Sequence, residues 1–244
     1  MDNVLVTGAS RGIGLGIAKK LASSDYRVIA VARRETRELS AAAAEAEKNG
    51  AGAINFEPFD LGEIGAIADF VAALRKRHGA LYGLVNNAGI GTEGLLANMP
   101  NAEIETLLRV NSLAPIVLTK YVVRGMMAEG RGRVVNLASI IASTGYHALS
   151  VYAATKASMI GFTRSLAREV GRVGVTVNAI APGFIDTAMT EGLADDQRKR
   201  IVDRSALRRL AEIEDVANMA AFLIGETGRN ITGTVMTVDA GSTA

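Results

Sequence analysis

Short β-branched apolar runs alternate with longer alanine-rich stretches along all 244 residues, and this alternation restricts the fold more than any other feature of the chain. The runs are Val4 to Val6, Val28 to Val31, Ala53 to Phe59, Leu84 to Val85, Val134 to Leu137, Val175 to Ile180 and Val235 to Val238. Between them the spacing turns helical, as at Ile13, Ile17 and Leu21. Strands that are apolar at consecutive positions need cover on both faces, and parallel strands joined by right-handed helical crossovers provide it. The pattern predicts an α/β chain: a doubly wound parallel sheet of about seven strands with helices on both faces. With 49% hydrophobic residues and no proline-rich or low-complexity linker, residues 1–244 read as one domain with a large core. The stretches Glu103 to Met127 and Ser150 to Val170 are long helix candidates. They are apolar over more than one narrow stripe, which suits a second buried face against another subunit.

Composition removes several function classes. The chain has no cysteine and two histidines, His78 and His147, so it offers neither a thiolate nucleophile nor a histidine-rich metal site. No run approaches the roughly 18 apolar residues of a membrane helix, and Asp2 stands where a secretory leader needs a basic start; a soluble, cytoplasmic protein is expected. Its 27 basic and 25 acidic residues are interspersed, a balance that does not call for nucleic acid.

The first strand runs into Thr7-Gly-Ala-Ser-Arg-Gly-Ile-Gly14, which opens a helix. Glycines at Gly8, Gly12 and Gly14 permit a tight turn, so that the backbone of Ser10, Arg11, Gly12 and Ile13 can approach a pyrophosphate at the helix N-terminus. An ordinary glycine turn is the plainer alternative. About 20 residues further on in such folds, an acid holds a ribose 2′-hydroxyl or an arginine accepts a 2′-phosphate. Here the second strand ends in Ala32-Arg33-Arg34-Glu35. Arg33, joined by Arg11, favours NADP(H) over NAD(H); Glu35 would serve NAD(H) if the strand ended later.

Tyr152 and Lys156 stand one helical turn apart, on one face. A phenol titrating near ~10 needs a neighbouring cation to work at neutral pH, and Lys156 is that cation. Ser139 follows the run Val134 to Leu137, at a strand's carboxyl end, where open α/β sheets place their ligands. Its hydroxyl could orient a substrate carbonyl or merely cap a turn. The segment Phe184 to Arg204, with Met189 and Leu193, reads as a flap over the cleft. Ile140, Ile141 and Met189 suit an acyl chain and equally a core.

With these motifs placed, the chain resembles the short-chain dehydrogenase/reductase family, of Rossmann type, from Val4 to Gly241. The resemblance implies a catalytic tetrad of Asn111, Ser139, Tyr152 and Lys156, with the Ser-to-Tyr separation of 152 − 139 = 13 common in the family. In it, Tyr152 would be the general acid/base and Ser139 would steady the substrate oxygen. Lys156 would bind the nicotinamide ribose and lower the tyrosine pKa, and Asn111 would support a water relay. The resemblance further implies cofactor contacts from Gly8, Gly12 and Gly14, from Asp60 and Leu61, from Asn87, Ala88 and Gly89 of Asn86-Asn87-Ala88-Gly89, and from Pro182, Gly183, Ile185 and Thr187. Among subfamilies, the 3-oxoacyl-[acyl-carrier-protein] reductases share Leu207-Arg208-Arg209-Leu210 and Ile231-Thr232-Gly233. That likeness implies a homotetramer and an acidic acyl carrier protein as partner, for which Arg131, Arg133 and Arg172 could form a docking patch. A dehydrogenase of a secondary alcohol (sugar, polyol or steroid) and a cofactor-binding regulatory protein without turnover are the rival readings.

Overall fold

The structure is a computed structural model that describes residues 1–50, 52–185 and 195–244, apart from the side chains of Asp195 and Gln197. Seven strands, β1 (Asn3–Thr7), β2 (Arg27–Ala32), β3 (Ala53–Pro58), β4 (Leu81–Asn86), β5 (Gly132–Leu137), β6 (Val175–Pro182) and β7 (Val235–Val238), form one sheet in the order β3-β2-β1-β4-β5-β6-β7. Every neighbouring pair is parallel. The helices are α1 (Gly12–Ala22), α2 (Arg37–Asn49), α3 (Ile67–His78), α4 (Asn101–Leu108), α5 (Ala114–Glu129), the short α6 (Ile141–Thr144), α7 (Ser150–Val170), α8 (Asp195–Arg204) and α9 (Ile213–Ile224). Among the described residues, no helix is long and apolar enough to cross a membrane.

The pleat explains why consecutive positions had to be apolar. Along β1, Val4 and Val6 join a core with Ile17 and Leu21 of α1, Leu39 of α2 and Leu223 of α9. Leu5, between them, joins the opposite core with Val71 and Leu74 of α3, Leu118 and Val122 of α5 and Leu166 of α7. All residues of β1, β4, β5 and β6 are buried. The edge strand β3, with Asn55 and Pro58 exposed, is less completely covered.

The stretch Glu103 to Met127 departs from the single helix that its spacing predicts. A π-helical turn, Arg109–Leu113, separates α4 from α5. Such turns insert a residue into the helical ladder and often mark functional sites; here the insertion places Asn111, 2% exposed, in the interior. The predicted flap between Phe184 and Arg204 falls partly outside the described residues, as do Met189, Leu193 and Thr187.

Candidate active site

β1 and β4 are neighbours in the sheet, and the chain leaves their carboxyl ends toward opposite edges. Such a switch point opens a crevice, and both glycine-containing motifs sit on it. Gly8 has a left-handed φ of +66°, and a Cβ built there would stand 2.9 Å from the Ala88 backbone. A Cβ at Gly14 would stand 2.2 Å from the Gly8 carbonyl oxygen. Neither position admits a side chain. Thr7 Oγ1 accepts from the backbone N–H groups of Asn87 and Ala88, each at 3.0 Å, and Asn87 Nδ2 donates to the carbonyls of Thr7 at 2.9 Å and Gly8 at 3.2 Å. The Asn87 side chain thus braces the glycine turn from behind.

Helix α1 begins without a capping side chain and without an acidic residue in its first turn. Its leading N–H groups, from Gly12 onward, and the positive end of its dipole face the crevice, a fit for the pyrophosphate of a dinucleotide. Ser10 is held by Thr36, whose hydroxyl donates to the Ser10 carbonyl at 2.6 Å and caps α2 by accepting from Leu39 N at 3.2 Å. Sequence reading stopped at Glu35 and missed Thr36, although Thr-x-x-Leu before a helical run is a cap signal. Arg11 and Arg33 are exposed, and neither enters an ion pair among the described residues. Glu35 instead accepts from Ser40 at the start of α2, at 2.9 Å. Asp60 is exposed and makes a turn with Gly62 N at 2.9 Å, next to the buried Leu61.

Ser139 lies two residues past β5, 8% exposed, with Oγ accepting from Ile141 N at 3.3 Å. That bond leaves the hydroxyl hydrogen available. Lys156 is 6% exposed, and its Nζ donates to the Leu137 carbonyl at 2.9 Å, so the cation is tied to the end of the strand that carries Ser139. Nζ lies 5.7 Å from the Tyr152 ring centroid. On the far side of the crevice, the extended chain beyond β6 is fixed by Ile140 N to the Pro182 carbonyl, 3.1 Å, and Gly183 N to the Val238 carbonyl, 2.9 Å. Ile185 pairs with Ala211.

Burial controls the electrostatics. It raises the Tyr152 pKa, opposed by a hydrogen bond with Ser139. The Lys156 ammonium is itself pushed down to about 8 by burial. Burial thus shifts both groups toward their neutral forms, while the Lys156 ammonium remains the main form at pH 7.

Asn111 spends its side chain on the scaffold. Its Oδ1 accepts from Ile90 N at 2.9 Å, and its Nδ2 donates to the Ile90 carbonyl at 2.8 Å and to Thr155 Oγ1 at 3.2 Å. Thr155 in turn donates to the Tyr152 carbonyl at 2.7 Å. This fully buried threonine, absent from the sequence reading, fastens the first turn of α7 to the π-helical turn. A second polar chain, Thr119–Asn86–Asn136–Thr163, runs from α5 through β4 and β5 to α7 with separations of 2.8 to 2.9 Å. Asn86 is therefore part of the scaffold rather than the crevice.

The three cations of the candidate docking patch lie away from the crevice. Arg131 precedes β5 and Arg172 precedes β6, so both lie at the amino ends of the strands, about 20 Å of strand away from Ser139. Arg131 is paired with Asp2 and lies over the Tyr82 ring. Arg133 is buried, reaches Glu226 at 3.4 Å and covers the same ring. These cations do not border the crevice of their own chain.

The chain is similar to known proteins over nearly its whole length. The family described as Enoyl-(Acyl carrier protein) reductase matches residues 8–243. The 3-oxoacyl-[acyl-carrier-protein] reductase FabG of Escherichia coli (strain K12) is 38% identical over 237 residues, covering 97% of this chain and 95% of that protein. Two solved structures superpose closely. A short-chain type dehydrogenase/reductase from Mycobacterium ulcerans has a TM-score of 0.92 at 31% identity, over 99% of this chain and 89% of that one. A gluconate 5-dehydrogenase from Burkholderia cenocepacia J2315, in complex with NADP and tartrate, has a TM-score of 0.93 at 27% identity, over 99% and 95%.

Proposed function

The chain belongs to the short-chain dehydrogenase/reductase family of oxidoreductases, and we propose that within it the protein is an NADP(H)-dependent carbonyl reductase acting on a 3-oxoacyl thioester. The observation that carries this reading is the placement of Ser139, Tyr152 and Lys156 at one end of the sheet, beside an uncapped helix N-terminus behind a glycine turn. The similarity to a 3-oxoacyl-carrier reductase supports the substrate class. So does the wall beside Tyr152, where Ile140, Ile141 and Leu149 form an apolar cluster with Phe184. A polyol or sugar acid, the substrate suggested by the gluconate dehydrogenase, would find few polar partners there.

The nicotinamide, when bound, supplies the hydride. Gly8, Ser10, Arg11, Gly12, Ile13 and Gly14 would hold its pyrophosphate and Asp60 and Leu61 would border its adenine. Ala88 and Gly89, with the segment Pro182, Gly183, Ile185 and Thr187, would flank its nicotinamide end. The Ser139 hydroxyl donates to the substrate carbonyl oxygen and orients it. Tyr152 transfers its phenolic proton to that oxygen, and because burial raises its pKa the proton is present throughout the neutral range. Lys156, anchored on Leu137, presents its remaining N–H groups to the crevice beside the phenol. Asn111 and Thr155 hold α7 in place.

An NADPH-consumption assay with acetoacetyl thioesters on coenzyme A and on an acyl carrier protein tests this reading. Turnover exceeding that of unrelated cyclic ketones and polyols is expected; turnover no better than theirs would overturn it. Exposed Leu108, Leu113 and Met127 on the surface of α4 to α5 support assembly through these helices, so the active preparation should weigh more than one chain by light scattering. A strictly monomeric active species would refute the assembly.

Cofactor choice rests on Arg33, an exposed cation with no acidic partner among the described residues. Arg33→Asp replaces an attraction for the 2′-phosphate by a repulsion, so the preference for NADPH over NADH in kcat/KM should fall by on the order of 10². An unchanged ratio would mark Arg33 as a solvated loop charge and favour NAD(H).

A further inference from the structure

Tyr146 lies midway between Ser139 and Tyr152, on the loop joining β5 to α7. Its ring centroid is 5.6 Å from that of Phe184, with the planes inclined at 59°. Phe184 belongs to the opposite wall, directly after the Pro182-Gly183 segment fixed by β7. The pair therefore spans the two chain segments that bound the crevice on its substrate side. Beneath it, Ile140, Ile141 and Leu149 are buried, and Tyr152, Ala153 and Phe184 pack on them. A continuous apolar floor runs from the proposed proton donor toward the Tyr146 ring.

The loop that presents Tyr146 is held in place. Gly145 and Ala148 have left-handed φ angles of 70° and 63°, and the Ala148 carbonyl accepts from Gly94 N at 2.9 Å, which ties this loop to the one after β4. A non-glycine residue at positive φ is costly and persists where surrounding contacts impose it. Tyr146 remains 42% exposed even so, and its hydroxyl has no hydrogen-bond partner among the described residues. A large aromatic face is thus presented to solvent at the end of an apolar floor, on an anchored loop.

We propose that Tyr146, paired with Phe184, is the specificity-determining platform for the apolar chain of a 3-oxoacyl substrate, favouring acyl groups that extend several methylenes beyond the reacting carbonyl over acetoacetyl. The ring face does this work and the hydroxyl does not. The inference rests on the 3-oxoacyl reading above and adds which chains the site selects.

The test compares kcat/KM for 3-oxodecanoyl and acetoacetyl coenzyme A in the wild type, Tyr146→Ala and Tyr146→Phe. The wild type should prefer the longer chain. In Tyr146→Ala the long-to-short ratio should fall by roughly 10-fold, the effect of withdrawing apolar contact from a few methylenes, and Tyr146→Phe should keep the wild-type ratio. An unchanged ratio in Tyr146→Ala, including one in which both substrates lose equally, overturns the platform while the 3-oxoacyl reading stands. A wild type that reduces neither thioester overturns the 3-oxoacyl reading and the platform with it.

Discussion

Tyr152→Phe should leave the fold and dinucleotide binding intact while lowering turnover by roughly 10² to 10⁴-fold, the contribution expected of a positioned general acid. The substitution removes one oxygen from a partly buried ring, and that oxygen's identified bond is to Ser139. Packing on the cluster of Ile140, Ile141 and Leu149 is kept. The measurement is steady-state turnover, with NADPH binding followed in parallel by fluorescence. Wild-type-like turnover in a folded variant would remove Tyr152 from the chemistry. The same site sets a pH expectation. Because burial raises the phenol's pKa, reduction should not lose its proton donor near neutrality. If the Lys156 ammonium is required, activity should decline as pH rises through about 8, where that group loses its proton.

Lys156→Met should abolish most activity and yet stabilise the protein without cofactor. The wild-type ammonium has a folded pKa of about 8 against an ordinary 10.5, so the fold disfavours its charged form. The resulting cost is fully present below pH 8 and is relieved as pH rises from about 8 to 10.5. A neutral, unbranched methionine removes that cost, partly offset because the Leu137 carbonyl loses its donor. The net gain should be on the order of 1–2 kcal/mol near pH 7, or roughly 2–8 °C in Tm for a chain of this size. It should shrink steadily as pH rises from about 8 and vanish above about 10.5, where the lysine of the unfolded chain also becomes neutral. A variant no more stable at pH 7, or one whose advantage grows with pH, would show that the buried ammonium carries no such penalty. Stability given up at a functional lysine is the signature of a site shaped for chemistry rather than for folding.

Much of this molecule was legible from its residues because the relevant signals are local. Strand apolarity is set by cover on both faces, and the α7 boundaries, Ser150–Val170, coincide with the predicted helix because its spacing is continuous. Gly8 and Gly14 were legible because their positions exclude any side chain. The break at Arg109–Leu113 was not, since a π-helical turn adds one residue to a ladder without altering composition. Thr36 and Thr155 escaped notice because a hydroxyl in a helix or at its start becomes informative only when its second partner, Ser10 or Asn111, is known.

Two judgements depended on tertiary structure outright. Arg131, Arg133 and Arg172 look like a cluster along the chain, but strand direction puts them at the end of the sheet opposite Ser139, and Arg133 is consumed by Glu226 and Tyr82. The Tyr152 pKa is the other: spacing displays the lysine one turn away, but not the burial that raises the phenol's pKa. The sequence by itself determined the alternation of strand and helix and the glycine turn, because each follows from neighbours within a few positions. Only the tertiary structure decided which charges share a solvent-poor crevice, which amides and hydroxyls are spent on the scaffold, and which aromatic rings meet across the cleft, because desolvation and long-range contact arise only when distant segments are brought together.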